Sequence, residues 1–214
     1  MCRNGAKCRE SVGHRFTSWR RGRAWFDAVG SGVSGVTTFR ACSAKIAGEQ
    51  IVVRSRAKTD FWQKTFDGYV ADSGHFDHLS VTGDFTFTGC INGKYATQYD
   101  QAGLMVRIDG ENWMRCGTEF IDGKRFASVV FTRTYSDGST LPDLSETEPI
   151  WWRIIRKADS IETLCSLKGD TFTSVRMGYF PPNRPVEVGI MCAAPSGQGF
   201  DATFKDLKLE TASK

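Results

Sequence analysis

The stretch at residues 99–132, YDQAGLMVRIDGENWMRCGTEFIDGKRFASVVFT, spells three consecutive strands together with both turns that join them. Along the first strand Ala102, Leu104, Val106 and Ile108 fall on one face, and Gln101, Gly103, Met105 and Arg107 on the other, the period of two that marks a half-buried strand. Asp109-Gly110 turns the chain. The return strand places Met114, Cys116, Thr118 and Phe120 on the apolar face and Trp113, Arg115, Gly117 and Glu119 opposite. Asp122-Gly123 makes the second turn, after which Ala127, Val129 and Phe131 continue the apolar face. Pairing Ile121 with Lys124 sets Glu119 opposite Phe126 and Cys116 opposite Val129, so the faces of the second and third strands agree. A three-residue first turn sets Arg107 opposite Trp113 and Gln101 opposite Glu119; a two-residue turn would break that grouping.

This meander has one dry face and one polar face. A polar face ordinarily meets only solvent. Here its content suggests more: Trp113 is a stacking plane, Arg107 a fork of donors, Glu119 an acceptor and Gln101 both donor and acceptor, a set suited to a polyhydroxylated ligand. An exposed Arg and Glu add only about 0–1 kcal/mol to stability even when paired, a weak reason for their presence. The candidate ligand bed is therefore Gln101, Arg107, Trp113 and Glu119, joined by Arg153 and His75 from neighbouring segments.

The chain has 214 residues, seven cysteines and a net charge of +4. Of its 28 basic and 24 acidic residues, nine and three fall in residues 1–50, leaving 19 against 21, a net charge of −2 for the remainder. The sandwich portion is thus no basic nucleic-acid binder. No stretch approaches 18 apolar residues, so no membrane span is expected. The odd number of cysteines without a CxxC pair, one of them on an inward strand face, fits free thiols in a reducing compartment. With no apolar h-region near the N-terminus, secretion is not expected, and the chain reads as intracellular and cytoplasmic.

Residues 1–47 read as a basic N-terminal extension, partly disordered, with a mitochondrial transit peptide as the alternative. Residues 25–29 could pair as an edge strand. Gly30, Gly32 and Gly35 spell GxGxxG, but β-branched residues follow and no βαβ unit surrounds them, so no nucleotide site is assigned. Residues 48–214 carry about ten short strands with Gly, Asp and Pro turns and no amphipathic helical period. That pattern predicts one all-β domain, an antiparallel β-sandwich of jelly-roll type. Phe85, Phe87, Val186, Val188 and Ile190 are expected in the core.

The succession KTDFWQKT, GHF, GDF, YDQAGLMVRID, ENW, GTEF, SVVFTR, WWRIIRK, YFPP, VGIMCAAP and FKDLKL resembles the family of domain of unknown function 1349, also called regulation of enolase protein 1-like, over about residues 48–210. The resemblance implies a concanavalin A-like lectin/glucanase sandwich and no established reaction. This sequence departs from the family where Ser136-Asp137 is followed by Gly138 instead of the frequent Trp.

Candidate chemistry is sparse. Glucanase relatives carry closely spaced carboxylates on one strand, and no ExDxxE occurs here. His75 and His78 with Asp72 and Asp77 suggest a metal, yet alternation sends His75 and Asp77 to one face and His78 to the other, so no metal or cofactor is assigned. Cys116 points inward, and Ser128 has no histidine in the adjacent strands, so no catalytic residue is assigned. The leading expectation is a binding module for a carbohydrate or small polar ligand. The alternatives are a protein-interaction module that regulates a metabolic enzyme, and a glycan-active hydrolase.

Overall fold

The computed structural model describes residues 27–29, 33–34, 43–47, 50–142 and 148–211, with side chains described from residue 50 onward. In chain order the strands are β1 (Asp27–Val29), β2 (Val33–Ser34), β3 (Ser43–Ala47), β4 (Gln50–Arg54), β5 (Phe61–Gln63), β6 (Val70–Asp72), β7 (His75–Val81), β8 (Phe85–Gly93) and β9 (Gln101–Asp109). There follow β10 (Asn112–Ile121), β11 (Lys124–Arg133), β12 (Tyr135–Leu141), β13 (Ile150–Lys157), β14 (Ser160–Ser166), β15 (Thr173–Tyr179), β16 (Val186–Ala193) and β17 (Asp201–Thr211).

Two sheets face each other. One is seven-stranded, in the order β12-β11-β10-β9-β16-β7-β2; the other is eight-stranded, in the order β15-β14-β13-β8-β17-β4-β3, with β1 joined to β17. All their ladders are antiparallel except that of β1 with β17. The fold is thus the antiparallel β-sandwich read from the strand spacing. Three of its strands, β1, β2 and β3, come from the segment read as an N-terminal extension; the disorder expected there falls on residues outside those described.

The meander forms with the expected register: Ile121 pairs with Lys124 and Glu119 with Phe126, while Arg107 pairs with Trp113 and Gln101 with Glu119. Chemistry in each turn explains this. Asp122 and Gly123 sit at φ of +50° and +79°, the left-handed pair that a two-residue hairpin needs. At the first turn Asp109 Oδ1 accepts the Glu111 amide at 2.9 Å and the Asn112 side chain at 2.8 Å, and the register shifts by one residue between Asn112 and Trp113.

The inward faces make one continuous core that includes Phe85, Phe87, Leu104, Val106, Met114, Val129, Trp152, Val186, Val188 and Ile190. Phe87 is wholly buried, and its neighbour Thr86 points the other way and is half-buried. Phe87→Ala should therefore cost about 3–5 kcal/mol in denaturant unfolding, through lost transfer energy and the cavity left behind. Thr86→Ala should cost far less.

Candidate functional site

The outer face of the seven-stranded sheet carries Gln101, Gly103, Met105 and Arg107 on β9, Trp113, Arg115, Gly117 and Glu119 on β10, and Ser128 and Val130 on β11. Register aligns them in rows across the strands. The sequence reading left this face open to solvent. The structure covers it instead with the β5–β6 hairpin, a separate two-stranded ribbon that pairs with neither sheet.

Phe61 of β5 packs with Met105, Trp113, Val130 and Met191 in a second apolar cluster, with Trp62 and Phe76 at its margin. Its ring meets Trp113 edge-on, centroids 6.1 Å apart. Trp113 is consequently buried, with its indole N–H donating to Gly110 O at 3.1 Å. It is a packing residue rather than a solvent-facing stacking plane. Alternation says which side of a sheet a residue occupies but not what lies over it. Trp62 lies against Gly138, the position where the family resemblance leads one to expect Trp.

The expected bed divides between the two ends of the β9–β10 row. At one end the Arg107 fork closes on both Asp72 oxygens, at 2.5 and 2.7 Å. Beside it Gln63 Nε2 donates to Gly110 O at 3.0 Å and the Gln63 amide to Ser136 Oγ at 2.9 Å. These bonds hold the hairpin down. At the other end Gln101 and Glu119 join a polar cluster. Gln101 Nε2 donates to Asp60 Oδ1 at 3.1 Å and Tyr99 O at 3.3 Å. Glu119 Oε2 accepts from Ser128 Oγ at 2.6 Å and from Arg115 Nη2 at 3.4 Å.

Arg115 and Glu119 lie four residues apart on one strand and reach each other along it because Gly117 stands between them without a side chain. A Cβ at Gly117 would run into the Ala102 backbone, and one at Gly103 opposite it into Cys116, so this pair of positions accepts only glycine.

Burial raises the Asp60 carboxyl above its ordinary range; the Arg115 charge opposes this and that of Glu119 adds to it. Asp60, Arg115 and Glu119 thus lie within electrostatic reach of one another. Tyr69, half-exposed at the hairpin's tip, has its hydroxyl pushed up by burial and by the charges of Asp60 and Asp67. Gln101 Oε1 and Arg115 Nε are buried without a hydrogen-bond partner. The sequence reading put Arg115 on this face but did not select it, and it passed over Ser128 for want of a histidine in the adjacent strands. It missed Asp60 and Tyr69 altogether, because nothing local in KTDFWQKTFDGY says that the hairpin folds back over the meander.

Two expected bed residues lie elsewhere. His75 points into the sandwich, where its Nε2 accepts the Arg56 amide at 2.7 Å. Arg153 sits on the outer face of the other sheet, 3.7 Å over the Phe172 ring, with Nε donating to Thr88 Oγ1 at 3.1 Å. His78 is on the outer face with Glu187, 3.3 Å away. Histidines 75 and 78 thus diverge, and no group of three metal-ligating side chains converges among the described residues.

The fold is a concanavalin A-like β-sandwich, with a polar cluster between one outer face and its covering hairpin. Residues 41–212 match the family described as protein of unknown function (DUF1349), and the chain belongs to that family. It is 34% identical over 160 residues to Regulation of enolase protein 1 of Saccharomyces cerevisiae, covering 75% of this chain and 81% of that one. Among solved structures, a functionally unknown S. cerevisiae protein superposes with a TM-score of 0.78 at 33% identity, over 82% of this chain and 96% of the other. The carbohydrate binding module CBM66 of Bacillus subtilis shares the fold alone, with a TM-score of 0.56 at 12% identity, over 86% and 99% of the two chains.

Asp77, inward beside His75, supplies a pH test of this placement. Burial pushes its carboxyl from 3.8 up to about 7, opposed by the His78 charge and amide. A raised folded-state value means that its contribution is fully present below 3.8 and is lost as pH rises through about 7. Asp77→Asn should flatten that fall and melt higher than wild type at pH 8, as read by thermal unfolding across the range.

Proposed function

We propose that this chain is a binding module for a small, uncharged, polyhydroxylated ligand, held by Asp60, Tyr69, Gln101, Arg115 and Glu119. The observation that carries this reading is the meeting of two carboxylates, a guanidinium and an amide at the hairpin's edge, with buried Gln101 Oε1 and Arg115 Nε left unpaired. Vicinal hydroxyls can donate to the carboxylates and accept from Arg115, while a sugar ring lies on Tyr69. Two carboxylates against one guanidinium disfavour an anionic ligand such as a sugar phosphate. The shared fold of a carbohydrate binding module is consistent with this reading. The four described cysteines, all buried and free, support a reducing compartment such as the cytoplasm.

Calorimetric titration against a panel of neutral mono- and oligosaccharides tests the proposal. Glu119→Gln and Tyr69→Ala should each weaken binding about tenfold or more, the loss of roughly one charge-assisted hydrogen bond or one stacking contact; Tyr69→Ala should melt near wild type, whereas Glu119→Gln should melt lower, because buried Arg115 loses its counter-charge. Arg107→Ala should instead lower stability by about 1–2 kcal/mol, because it releases the hairpin from Asp72. A panel without any binder, or full affinity in both Glu119→Gln and Tyr69→Ala, rejects the site.

A second reading, a protein-interaction module, is carried by the hairpin tip. Phe66 is 89% exposed there, at a left-handed φ of +68°, with Tyr69 and Val70 beside it. The relative's name points to enolase as the partner to try. Titration with purified enolase should then give saturable binding that Phe66→Ser abolishes without changing the melting temperature; no binding dismisses this reading.

A further inference from the structure

A buried guanidinium remains outside that cluster. Arg125 follows the Asp122-Gly123 turn, pairs with Phe120 across β10, shares the inward face of β11 with Ala127 and Val129, and is 5% exposed. Burying a cation is unfavourable unless a counter-charge or a full set of acceptors replaces its water. Other arginines of this chain meet that demand: Arg107 has Asp72, Arg115 has Glu119, and Arg156 has the carbonyls of Pro181 and Arg184.

Arg125 has neither. Its Nη2 donates to Asn92 Oδ1 at 3.2 Å and its guanidinium lies 5.2 Å from the centre of the Tyr95 ring. Among the described residues no carboxylate forms an ion pair with it, and its Nε is buried without a partner.

Two further donors converge on the same end of the sandwich. The hydroxyls of Thr118 and Tyr95 are buried and make no hydrogen bond of normal geometry, and Thr118 lies close enough to pull the Tyr95 hydroxyl's value down. Burial raises the Tyr95 hydroxyl far above its usual range, and the Arg125 charge works against that rise. The Asp100 charge also reaches Tyr95. The Asp100 Oδ2 accepts from the amides of Ala96 and Thr97, its Oδ1 has no hydrogen-bond partner, and no ion pair joins it to Arg125 among the described residues.

We propose that Arg125, Thr118 and Tyr95 form a binding site for a small monovalent inorganic anion of chloride size. Such an ion takes only donors, which is what Arg125 Nε and the two hydroxyls offer, and it supplies the missing counter-charge. A polyatomic anion would have to displace the Tyr95 ring, which is packed between Phe200 and the bare Cα of Gly93, where a Cβ would strike it. The turn at Asp122 and Gly123, two residues from Arg125, is exposed to solvent.

The test compares thermal unfolding of the full chain in sodium bromide and in sodium gluconate at equal ionic strength, together with anomalous diffraction from crystals grown in bromide. At bromide about ten times its Kd, the melting temperature should exceed that in gluconate by roughly 3–5 °C. An anomalous peak should touch Arg125 Nε. Arg125→Met should abolish both signals, and Thr118→Val, which keeps the side-chain shape, should shrink the thermal response. Equal melting in the two salts, an unchanged bromide response in Arg125→Met, or no peak beside Arg125 overturns the proposal; should Arg125→Met fail to fold, Thr118→Val and the peak decide it.

Discussion

Phe61 seated on Met105, Trp113, Val130 and Met191 is the contact on which the character of the outer face depends. A two-stranded ribbon is marginal by itself, so the β5–β6 hairpin persists because this aromatic ring leaves water, a gain of about 1.5–3 kcal/mol. The bidentate Arg107–Asp72 pair and the two Gln63 bonds then orient the ribbon. Without Phe61 in place, the row from Gln101 to Trp113 would be an open polar surface. With it, the row becomes an apolar floor with a polar group at either end.

Those two ends differ in how well their charges are satisfied. At the Arg107 end each partner is matched by bidentate geometry, which strengthens the pair and leaves little for a ligand to gain. At the Glu119 end Arg115 is shared at 3.4 Å between Ser128 and Glu119, and Asp60 is held by burial in a state that disfavours its charge. A partly satisfied polar network is costly in a low-dielectric site, and groups supplied from outside recover that cost. The stabilising contacts and the chemically available ones therefore lie on the same face of β9 and β10, with the glycines Gly103 and Gly117 next to the Gln101–Glu119 pair. Those glycines also let Arg115 lie flat enough to reach Glu119.

Period-two alternation and two DG turns were enough to determine the meander, its register and its inward face, down to Cys116 opposite Val129 and Arg107 opposite Trp113. Strand pairing between neighbours in sequence is a local matter, governed by side-chain period and turn geometry, and both are written in the residues themselves. The burial of Phe87, Val186 and Ile190 was legible for the same reason. Tertiary structure alone decided what covers the opposite face. That alternation faces Trp113 away from the core says nothing of Phe61, some fifty residues earlier, arriving to bury it. The separation of Arg107 from Glu119, the removal of His75 and Arg153 from the bed and the entry of Asp60 and Tyr69 all follow from packing between segments distant in sequence, which is decided by shape and desolvation across the whole chain rather than by any local period.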